Sequence, residues 1–460
     1  MTTSTALEVR NPYTGELVGE APIASAQHVR KALDDGARWV GGLSRHERSQ
    51  LLFAVADRLR ASREELARLI SSESGLCLKD TRHEVGRAVD VFRFAAIEAL
   101  RDDGEVFAGD ICADGRDRRS YTLRVPVGLV AAITPFNHPL NQVAHKLAPA
   151  IAAGAPIVCK PSEKTPLTAL RLAALLSDIG VPKVAAQVLC GDPVTMLDSF
   201  LAHEAVEVVS FTGGVAVGKA IAARLGYRRA VLELGGNDPL IVLADADLDE
   251  AARIAVRGAF QNSGQRCTAV KRIIAVEAIA DELAQRMVSA TSALRCGDPL
   301  SEQTDVGTVI DESAAQTIAA RIETALQAGA ELLCGGERDR ALLTPAVLDH
   351  VSPNSELVAR ETFGPVAPII RVNDLDEAIA TANATRYALS SAVCTFDWRA
   401  ISRCIRELRA GTVNIREVPG YRTELTPFGG VGDSGLGVKE GVREAIRAMS
   451  FTKLYSLPWT

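Results

Sequence analysis

Residues 129–133 read LVAAI, the first of five short apolar runs that alternate with longer helical stretches as far as residue 234. The other four read PIVC at 156–159, AQVL at 186–189, VEVVSF at 206–211 and AVLEL at 230–234. Repetition of strand, helix and strand predicts a parallel sheet covered on both faces, in a doubly wound architecture. A nucleotide is the usual ligand at the carboxyl ends of such strands.

A second alternation follows this stretch, and a helical segment precedes it. The later apolar runs lie at 240–243, 271–276, 365–372, 391–395 and 412–415. Between residues 45 and 99 apolar positions recur at helical spacing, with Gly75 as a stop between two helices. A turn and a basic run at 114–125 predict a small hairpin outside the core. We therefore expect an α/β fold with two doubly wound parallel-sheet lobes and a small β hairpin.

The composition limits the classes of function. The 460 residues are 47% hydrophobic, 23% charged and 5% aromatic, which is typical of a soluble globular chain of two or three domains. The 51 Lys+Arg against 57 Asp+Glu leave a net charge of −6, so neither nucleic acid nor an anionic membrane is an expected partner. No apolar stretch approaches the ~20 residues that span a bilayer. We expect a cytoplasmic protein.

The nine cysteines form no Cys-x-x-Cys pair, so neither a metal site nor disulfides are expected. Cys267 differs from the others because it follows NSGQR at 262–266, beside the guanidinium of Arg266. A neighbouring cation is expected to lower the pKa of the thiol. Earlier in the chain, Glu233 ends an apolar run before two glycines. Each residue alone is more often structural than catalytic.

Together with five further blocks, these residues resemble the aldehyde dehydrogenase superfamily over nearly the whole chain. The blocks, in the family's order and spacing, are TPFN at 134–137, KPSE at 160–163, FTGG at 211–214 with Gly218, ELGG at 233–236, GQRC at 264–267, ETFGP at 361–365 and PFGG at 427–430. The stretches TPFNHPL at 134–140 and NQVAHK at 141–146, with YSLPW at 455–459, are most like the phosphonoacetaldehyde dehydrogenase branch.

The resemblance assigns the catalytic residues. It implies that Cys267 adds to the aldehyde carbon and forms a thiohemiacetal, whose hydride passes to a nicotinamide and leaves a thioester. Glu233 matches the general base that activates water for hydrolysis of the thioester. Asn137 matches the amide that forms the oxyanion hole with the backbone N–H of Cys267.

The resemblance also assigns the cofactor site, although Gly-x-Gly-x-x-Gly is absent where it would be needed. A glycine turn at 213–214 instead precedes a helix whose N–H groups can face the pyrophosphate. Lys160 and Glu163 match residues that hold the adenosine ribose. A carboxylate there repels a 2′-phosphate, so NAD is expected in preference to NADP. The cofactor-binding residues expected are Thr134, Pro135, Phe136, Lys160, Ser162, Glu163, Gly213, Gly214, Gly218, Leu234, Glu361 and Phe363.

Four positions that match the family's entrance tunnel predict the substrate. They are Arg87, His138, Arg266 and Arg422. An arginine on a surface helix is usually solvated, but four such groups around one cleft are unfavourable unless an anion sits among them. We therefore expect a small anionic aldehyde, bound through bidentate arginine contacts. Such contacts suit a planar carboxylate, a phosphonate or a phosphate. The resemblance to the phosphonoacetaldehyde dehydrogenase branch implies a phosphonate aldehyde, with lactaldehyde and non-phosphorylating glyceraldehyde-3-phosphate dehydrogenases as the alternatives.

Two other classes of function are less well supported by the residues present. A catalytically silent scaffold would be expected to lack Cys267, Glu233 or Asn137. An acylating enzyme that passes its thioester to coenzyme A would be expected to lack the glutamate. All three residues are present.

By resemblance, residues 1–113 and 129–235 form the NAD-binding domain and 236–432 the catalytic domain. Segments 114–128 and 446–460, with residues 121–125 and 450–459 in them, match oligomerisation elements, in which an outlying hairpin carries an edge strand that pairs with a partner subunit. We expect a homodimer or a dimer of dimers.

Overall fold

The computed structural model describes residues 6–39, 42–438 and 440–459. Its first elements are β1 (Ala6–Arg10), β2 (Leu17–Pro22), α1 (Ala26–Arg38), α2 (Arg45–Ala61), α3 (Arg63–Ser74), α4 (Leu78–Ala99), β3 (Val106–Ala108) and β4 (Arg118–Pro126). The predicted helix stop is present, because Gly75 ends α3 in the left-handed conformation with φ +77°. A Cβ there would lie 1.8 Å from Thr308 Oγ1, so only glycine fits.

The first predicted parallel sheet is present, with its strands at the predicted places. Its elements are β5 (Val130–Ile133), α5 (Asn141–Ala153), β6 (Ile157–Lys160), α6 (Pro166–Ile179), β7 (Ala186–Val188), α7 (Pro193–Ala202), β8 (Val208–Thr212), α8 (Val215–Ala222) and β9 (Arg229–Glu233). The strand order is β7-β6-β5-β8-β9, and all neighbours are parallel. The order reverses between β5 and β8, which is where a doubly wound sheet opens a ligand crevice.

The second lobe follows directly. Its elements are β10 (Asp238–Val242), α9 (Leu248–Phe260), β11 (Val270–Val276), α10 (Glu277–Ser292), α11 (Glu312–Gln327), β12 (Glu331–Cys334), β13 (Arg338–Asp339), β14 (Leu342–Leu343), β15 (Ala346–Asp349), α12 (Glu356–Ala359), β16 (Val366–Val372), α13 (Leu375–Asn383), β17 (Ser390–Cys394), α14 (Trp398–Glu407) and β18 (Thr412–Ile415). Seven strands form a sheet in the order β12-β15-β16-β11-β10-β17-β18. The five predicted strands are parallel. Strand β15 joins β16 in parallel, and β12 pairs antiparallel with β15 at the edge.

A small third sheet stands where a hairpin was expected. After α15 (Val442–Ala448), strand β19 (Ser450–Pro458) pairs antiparallel with the whole of β4, and β3 pairs with the other side of β4. Residues 121–125 therefore lie in the central strand. The edge strand expected in this element is β19, and its pairing with a partner subunit stays a prediction.

The predicted fold class is confirmed: two doubly wound lobes carry a small separate β-sheet. The domain boundaries stay a prediction. Within the described ranges, no helix is long and apolar enough to cross a membrane.

Candidate active site

The Cys267 loop begins with a backbone turn that non-glycine residues rarely adopt. Between α9 and Cys267, Asn262 has φ 61° and Ser263 has φ 51°, both left-handed. Such conformations cost free energy and persist only where surrounding contacts hold them. Here Asp80 Oδ2 accepts a 2.7 Å hydrogen bond from the buried Asn262 N–H. The turn thus depends on a carboxylate from α4.

The thiol of Cys267 is partly exposed, but its pKa is not lowered as the sequence suggested. Burial raises the pKa of the thiol to about 11, and the cation that lowers it is Lys271. Arg266 turns away and donates to Gln261 Oε1 at 3.1 Å. The expectation that Arg266 activates the thiol was therefore wrong in its physical cause.

Asn137 is buried just beyond β5, and hydrogen bonds hold both its side-chain amide and its backbone carbonyl. Its Nδ2 donates to Gln265 O at 2.8 Å, and its own carbonyl accepts from Asn262 Nδ2 at 2.9 Å. A carboxamide nitrogen has two N–H donors, so one remains for another acceptor after the bond to Gln265. This arrangement ties the amide to the Cys267 loop and suits a donor to a developing oxyanion.

Glu233 is the last residue of β9 and is only 3% exposed. The next residue, Leu234, donates its backbone N–H to Ser434 O at 3.1 Å. Gly429 lies so close that a Cβ on it would approach Glu233 Oε1 to 2.4 Å. The Pro-Phe-Gly-Gly block therefore covers the carboxylate, which explains why this block contains glycine there.

The crevice between β5 and β8 has the features of a dinucleotide site. Thr134 and Thr212 follow paired positions at the carboxyl ends of these strands. Within the described ranges, the hydroxyl of each is buried without a hydrogen-bond partner. Gly214 opens α8 with nothing within 4 Å of where its Cβ would be, which leaves room for a phosphate. Gly218 packs against Leu234, and a Cβ there would meet Leu234 Cδ2 at 2.3 Å.

At the next strand the expected ribose-binding pair is formed. Lys160 is buried at the end of β6, and its Nζ donates to Glu163 Oε2 at 3.0 Å. Although burial raises the pKa of Glu163, the ammonium lowers it below its ordinary value, so the carboxylate is charged at neutral pH. The neighbouring Ser162 Oγ accepts from the backbone N–H of Lys164 at 3.2 Å.

The other expected cofactor residues meet across the cleft. The rings of Phe136 and Phe363 pack edge to face with centroids 5.9 Å apart. Glu361 Oε1 accepts from Lys271 Nζ at 2.8 Å and from Gly236 N–H at 3.1 Å. The orphaned threonine hydroxyls, the open glycine turn and this carboxylate fit a bound dinucleotide.

Three of the four expected substrate residues line one large cleft of about 1210 Å³: Arg87, Arg266 and Arg422. His138 is not part of this lining. His138 Nδ1 lies 3.5 Å from Glu84 Oε2. Burial lowers the pKa of the His138 imidazole, so the ring is neutral near pH 7. The expectation that His138 adds a cation to the cleft was wrong, because desolvation outweighs Glu84.

The cleft contains a carboxylate that the sequence argument missed. Glu424 is 5% exposed and lies 2.5 Å from Arg87 Nε, 2.5 Å from His145 Nε2 and 3.7 Å from Arg422 Nη1. Burial alone would raise the pKa of Glu424, but these neighbours hold it well below 4.5. The assumption that the arginines have no internal anion was therefore wrong. Arg266 makes no ion pair within the described part of the chain.

The chain is similar to proteins of a known family over nearly its whole length. The family model described as "Aldehyde dehydrogenase family" matches residues 1–455. The 3-sulfolactaldehyde dehydrogenase of Priestia megaterium is 36% identical over 457 residues, 99% of this chain and 96% of the relative. The lactaldehyde dehydrogenase of Methanocaldococcus jannaschii is 38% identical over 454 residues, 97% and 96% of the two chains.

A solved structure agrees with the fold in detail. The NADP-dependent glyceraldehyde-3-phosphate dehydrogenase of Bacillus halodurans, complexed with NADP, superposes with a TM-score of 0.96 at 36% identity. The match covers 100% of this chain and 97% of the solved one.

Proposed function

Because this chain belongs to the aldehyde dehydrogenase family, we propose that its arginine-lined cleft selects a small aldehyde with a strongly acidic headgroup. Phosphonoacetaldehyde is expected to be a better substrate than its sulfonate analogue. Family membership makes the chain an NAD(P)-dependent oxidoreductase that acts on aldehydes. The proposal of an acidic headgroup rests on the presence of Arg87, Arg266 and Arg422 in one cleft.

The charges in this cluster favour an anionic headgroup. Arg87 and Arg422 form ion pairs with Glu424, and the buried Asp80 acts on Arg266, so three guanidiniums have two carboxylates as their main internal partners. A phosphonate dianion would interact more strongly with these guanidiniums than a sulfonate monoanion would. Guanidinium groups also bind tetrahedral oxyanions through two parallel hydrogen bonds.

The comparisons support the anionic class and leave its members open. The relative named for 3-sulfolactaldehyde and the structure named for glyceraldehyde 3-phosphate both carry anionic substrates in their names. The relative named for lactaldehyde does not. Glyceraldehyde 3-phosphate is the second candidate, because the same arginines suit its phosphate.

In the proposed reaction Cys267 passes its thiol proton to solvent, and the thiolate sulfur bonds to the aldehyde carbon as the π electron pair of the C=O bond moves to oxygen. The remaining N–H of Asn137 and the backbone N–H of Cys267 stabilise the resulting oxyanion. A nicotinamide held beside Phe363 and Glu361 would supply the acceptor for the hydride of this carbon. Glu233 then takes a proton from water as the water attacks the thioester, which releases the acid and the thiolate.

We infer that NAD binds in preference to NADP, because the charged Glu163 beside Lys160 would repel a 2′-phosphate. Glu163 is 46% exposed on its side chain, so it can turn toward a ribose hydroxyl. The solved relative with NADP makes this a sharp test. The measured kcat/KM should be higher with NAD than with NADP, and Glu163→Gln should reduce the difference between these two values.

We propose that the chain assembles through β19. This nine-residue edge strand exposes Phe451, Leu454, Tyr455 and Leu457, and an exposed apolar edge in a monomer favours aggregation. Pairing with a second copy would cover it. Light scattering should give a dimer or tetramer at micromolar concentration, and a monomer would contradict the proposal.

The substrate proposal is tested with a panel of aldehydes. The formation of NADH should be compared for phosphonoacetaldehyde, sulfoacetaldehyde, glyceraldehyde 3-phosphate, lactaldehyde and acetaldehyde. The proposal expects phosphonoacetaldehyde to have the highest kcat/KM and the uncharged aldehydes to be at least about tenfold lower. Lactaldehyde or acetaldehyde as the best substrate would refute it.

A further inference from the structure

Lys271 is a buried ammonium at the junction of the nucleophile and cofactor regions. It lies on β11 and is 3% exposed. Its Nζ donates to Cys267 O at 2.9 Å, to Gly236 O at 2.7 Å and to Glu361 Oε1 at 2.8 Å. An ammonium has three N–H donors, so all of them are used. The Lys271 side chain therefore connects three segments of the chain through hydrogen bonds.

The same ammonium also faces the region expected to hold the nicotinamide. It lies 5.4 Å from the ring centroid of Phe363, within the range of a cation–π contact. Glu361 has a second donor in Gly236 N–H at 3.1 Å, so its Oε1 is held from two sides. The position of this carboxylate is thus set mainly by Lys271 and the Gly236 backbone.

Charged groups face the Cys267 thiol from several elements. Beyond burial, which is the largest effect, Lys271 lowers the pKa of the thiol. Three carboxylates raise it: Asp238, Glu361 and Glu233. The cations nearby are Arg87 and Arg266 on the substrate side and Arg272 behind Asp238. Lys271 is the one of these cations that is hydrogen-bonded to both the Cys267 carbonyl and a facing carboxylate.

We propose that Lys271 is a positioning residue that fastens the Cys267 loop to the Glu361 carboxylate and offsets the charge of that carboxylate beside the sulfur. Its contacts are backbone carbonyls and Glu361, not the reacting atoms. A compact ammonium suits this place better than a planar guanidinium, because its three acceptors lie in different directions. The inference rests on the proposed function only in taking Cys267 as the nucleophile.

Loss of the ammonium has two separable consequences. Two buried carbonyls lose a donor, which loosens the loop. The charge of Glu361 is no longer offset, which disfavours the thiolate of Cys267. Neutralising Glu361 as well should reverse the second consequence and leave the first in place.

The test measures alkylation of Cys267 in the full-length protein without cofactor. Iodoacetamide is added at about pH 8, and the Cys267 peptide is quantified by mass spectrometry, since the rate follows the thiolate fraction. The variants are K271M, K271Q and the double variant K271M/E361Q. Lys31→Met is the matched control, because Lys31 is an exposed lysine paired with Asp35 on α1.

K271M and K271Q should each slow alkylation of Cys267 by about tenfold. The double variant should recover to within about threefold of the unmodified protein, and K31M should be unchanged. A normal rate in K271M, or in K271Q if K271M does not fold, overturns the inference. So does a double variant as slow as the single one. Dehydrogenase activity that survives complete alkylation of Cys267 would instead refute the proposed function.

Discussion

Arg87 Nε lies 2.5 Å from Glu424 Oε1, so the cleft that is proposed to bind an anion already holds one of its own. This contact joins α4 to the loop before the Pro-Phe-Gly-Gly block. It orients the guanidinium before any substrate arrives, which reduces the entropy lost on binding. It also lowers the net positive charge of the cleft without removing it.

Of the three arginines, Arg422 is the one whose substitution best distinguishes a role in substrate binding from a role in supporting the structure. Its contact with Glu424 is longer, at 3.7 Å, and its guanidinium stacks 4.2 Å from the ring centroid of Phe428. We expect Arg422→Ala to lower kcat/KM for phosphonoacetaldehyde by about tenfold or more, the effect of losing one charged hydrogen bond. Oxidation of acetaldehyde should change little. Arg403→Ala, which removes an ion-paired arginine from α14, serves as the control and should leave both rates unchanged.

Equal losses with the charged and the uncharged aldehyde in Arg422→Ala would mean that the arginine supports the loop. The anionic headgroup would then lose its strongest support. Steady-state kinetics with both substrates decide between these outcomes.

Glu424→Gln should destabilise the protein near neutral pH. The folded-state pKa of Glu424 is held well below 4.5, so the carboxylate contributes stability above about pH 4.5 and loses it as pH falls through the folded value. Breaking a buried charge cluster costs up to ~3–5 kcal/mol. The Tm difference from the unmodified protein should be largest near pH 7 and shrink in acid. Glu65→Gln, at an exposed ion pair with Arg171, should change Tm little.

A Tm difference for Glu424→Gln that stays constant from neutral to acid pH would contradict the ionised state of this carboxylate. Thermal unfolding followed by circular dichroism at several pH values provides the comparison.

Asp80 should matter for catalysis although it lies on α4, away from the reacting atoms. Asp80→Ala removes the acceptor for the Asn262 N–H and leaves that buried donor unsatisfied in a left-handed turn. We expect kcat to fall by about tenfold or more while the Kd of NADH stays within about threefold. Asp80→Asn keeps an acceptor oxygen and should retain most of the activity. Loss of NADH binding along with kcat would point to general unfolding instead.

Cys267→Ala should abolish turnover while binding of NADH, followed by its fluorescence, persists. The nucleophile forms the covalent bond, whereas the dinucleotide crevice is built from β5, β8 and α8. Cys112→Ala removes an exposed thiol and should keep full activity. Measurable turnover in Cys267→Ala would remove this residue from the mechanism.

Much of the fold could be predicted because its strands are buried on both faces and read as short apolar runs. The β5 and β11 strands are examples. The β12 strand was missed because it is an exposed antiparallel strand at the edge of the sheet. None of the four residues in its sequence, ELLC, is fully buried, so the sequence lacks the apolar pattern of a buried strand. A one-dimensional pattern carries little information about such an edge.

In the site, the motif blocks predicted residues that the structure brings together, such as Asn137 and Gln265, but not the electrostatics around them. Glu424 acts through Arg87 and His145, which lie far along the chain, and nothing in its local sequence marks it as buried. Lys271 begins a predicted apolar run, but that run does not indicate its contacts with Gly236 and Glu361. His138 shows the reverse error, since its charge depends on burial that the sequence does not show. Charge counts from sequence alone are therefore weakest inside a cleft.

Cys267 is proposed to become acylated by an aldehyde that the arginines select for its headgroup. Glu233→Gln should slow hydrolysis, so that the thioester accumulates. This variant should be mixed with NAD and equal concentrations of phosphonoacetaldehyde and acetaldehyde, and the Cys267 peptide examined by mass spectrometry. A phosphonoacetyl adduct on Cys267 is expected as the main product. An acetyl adduct in excess, or an adduct on another residue, would contradict it.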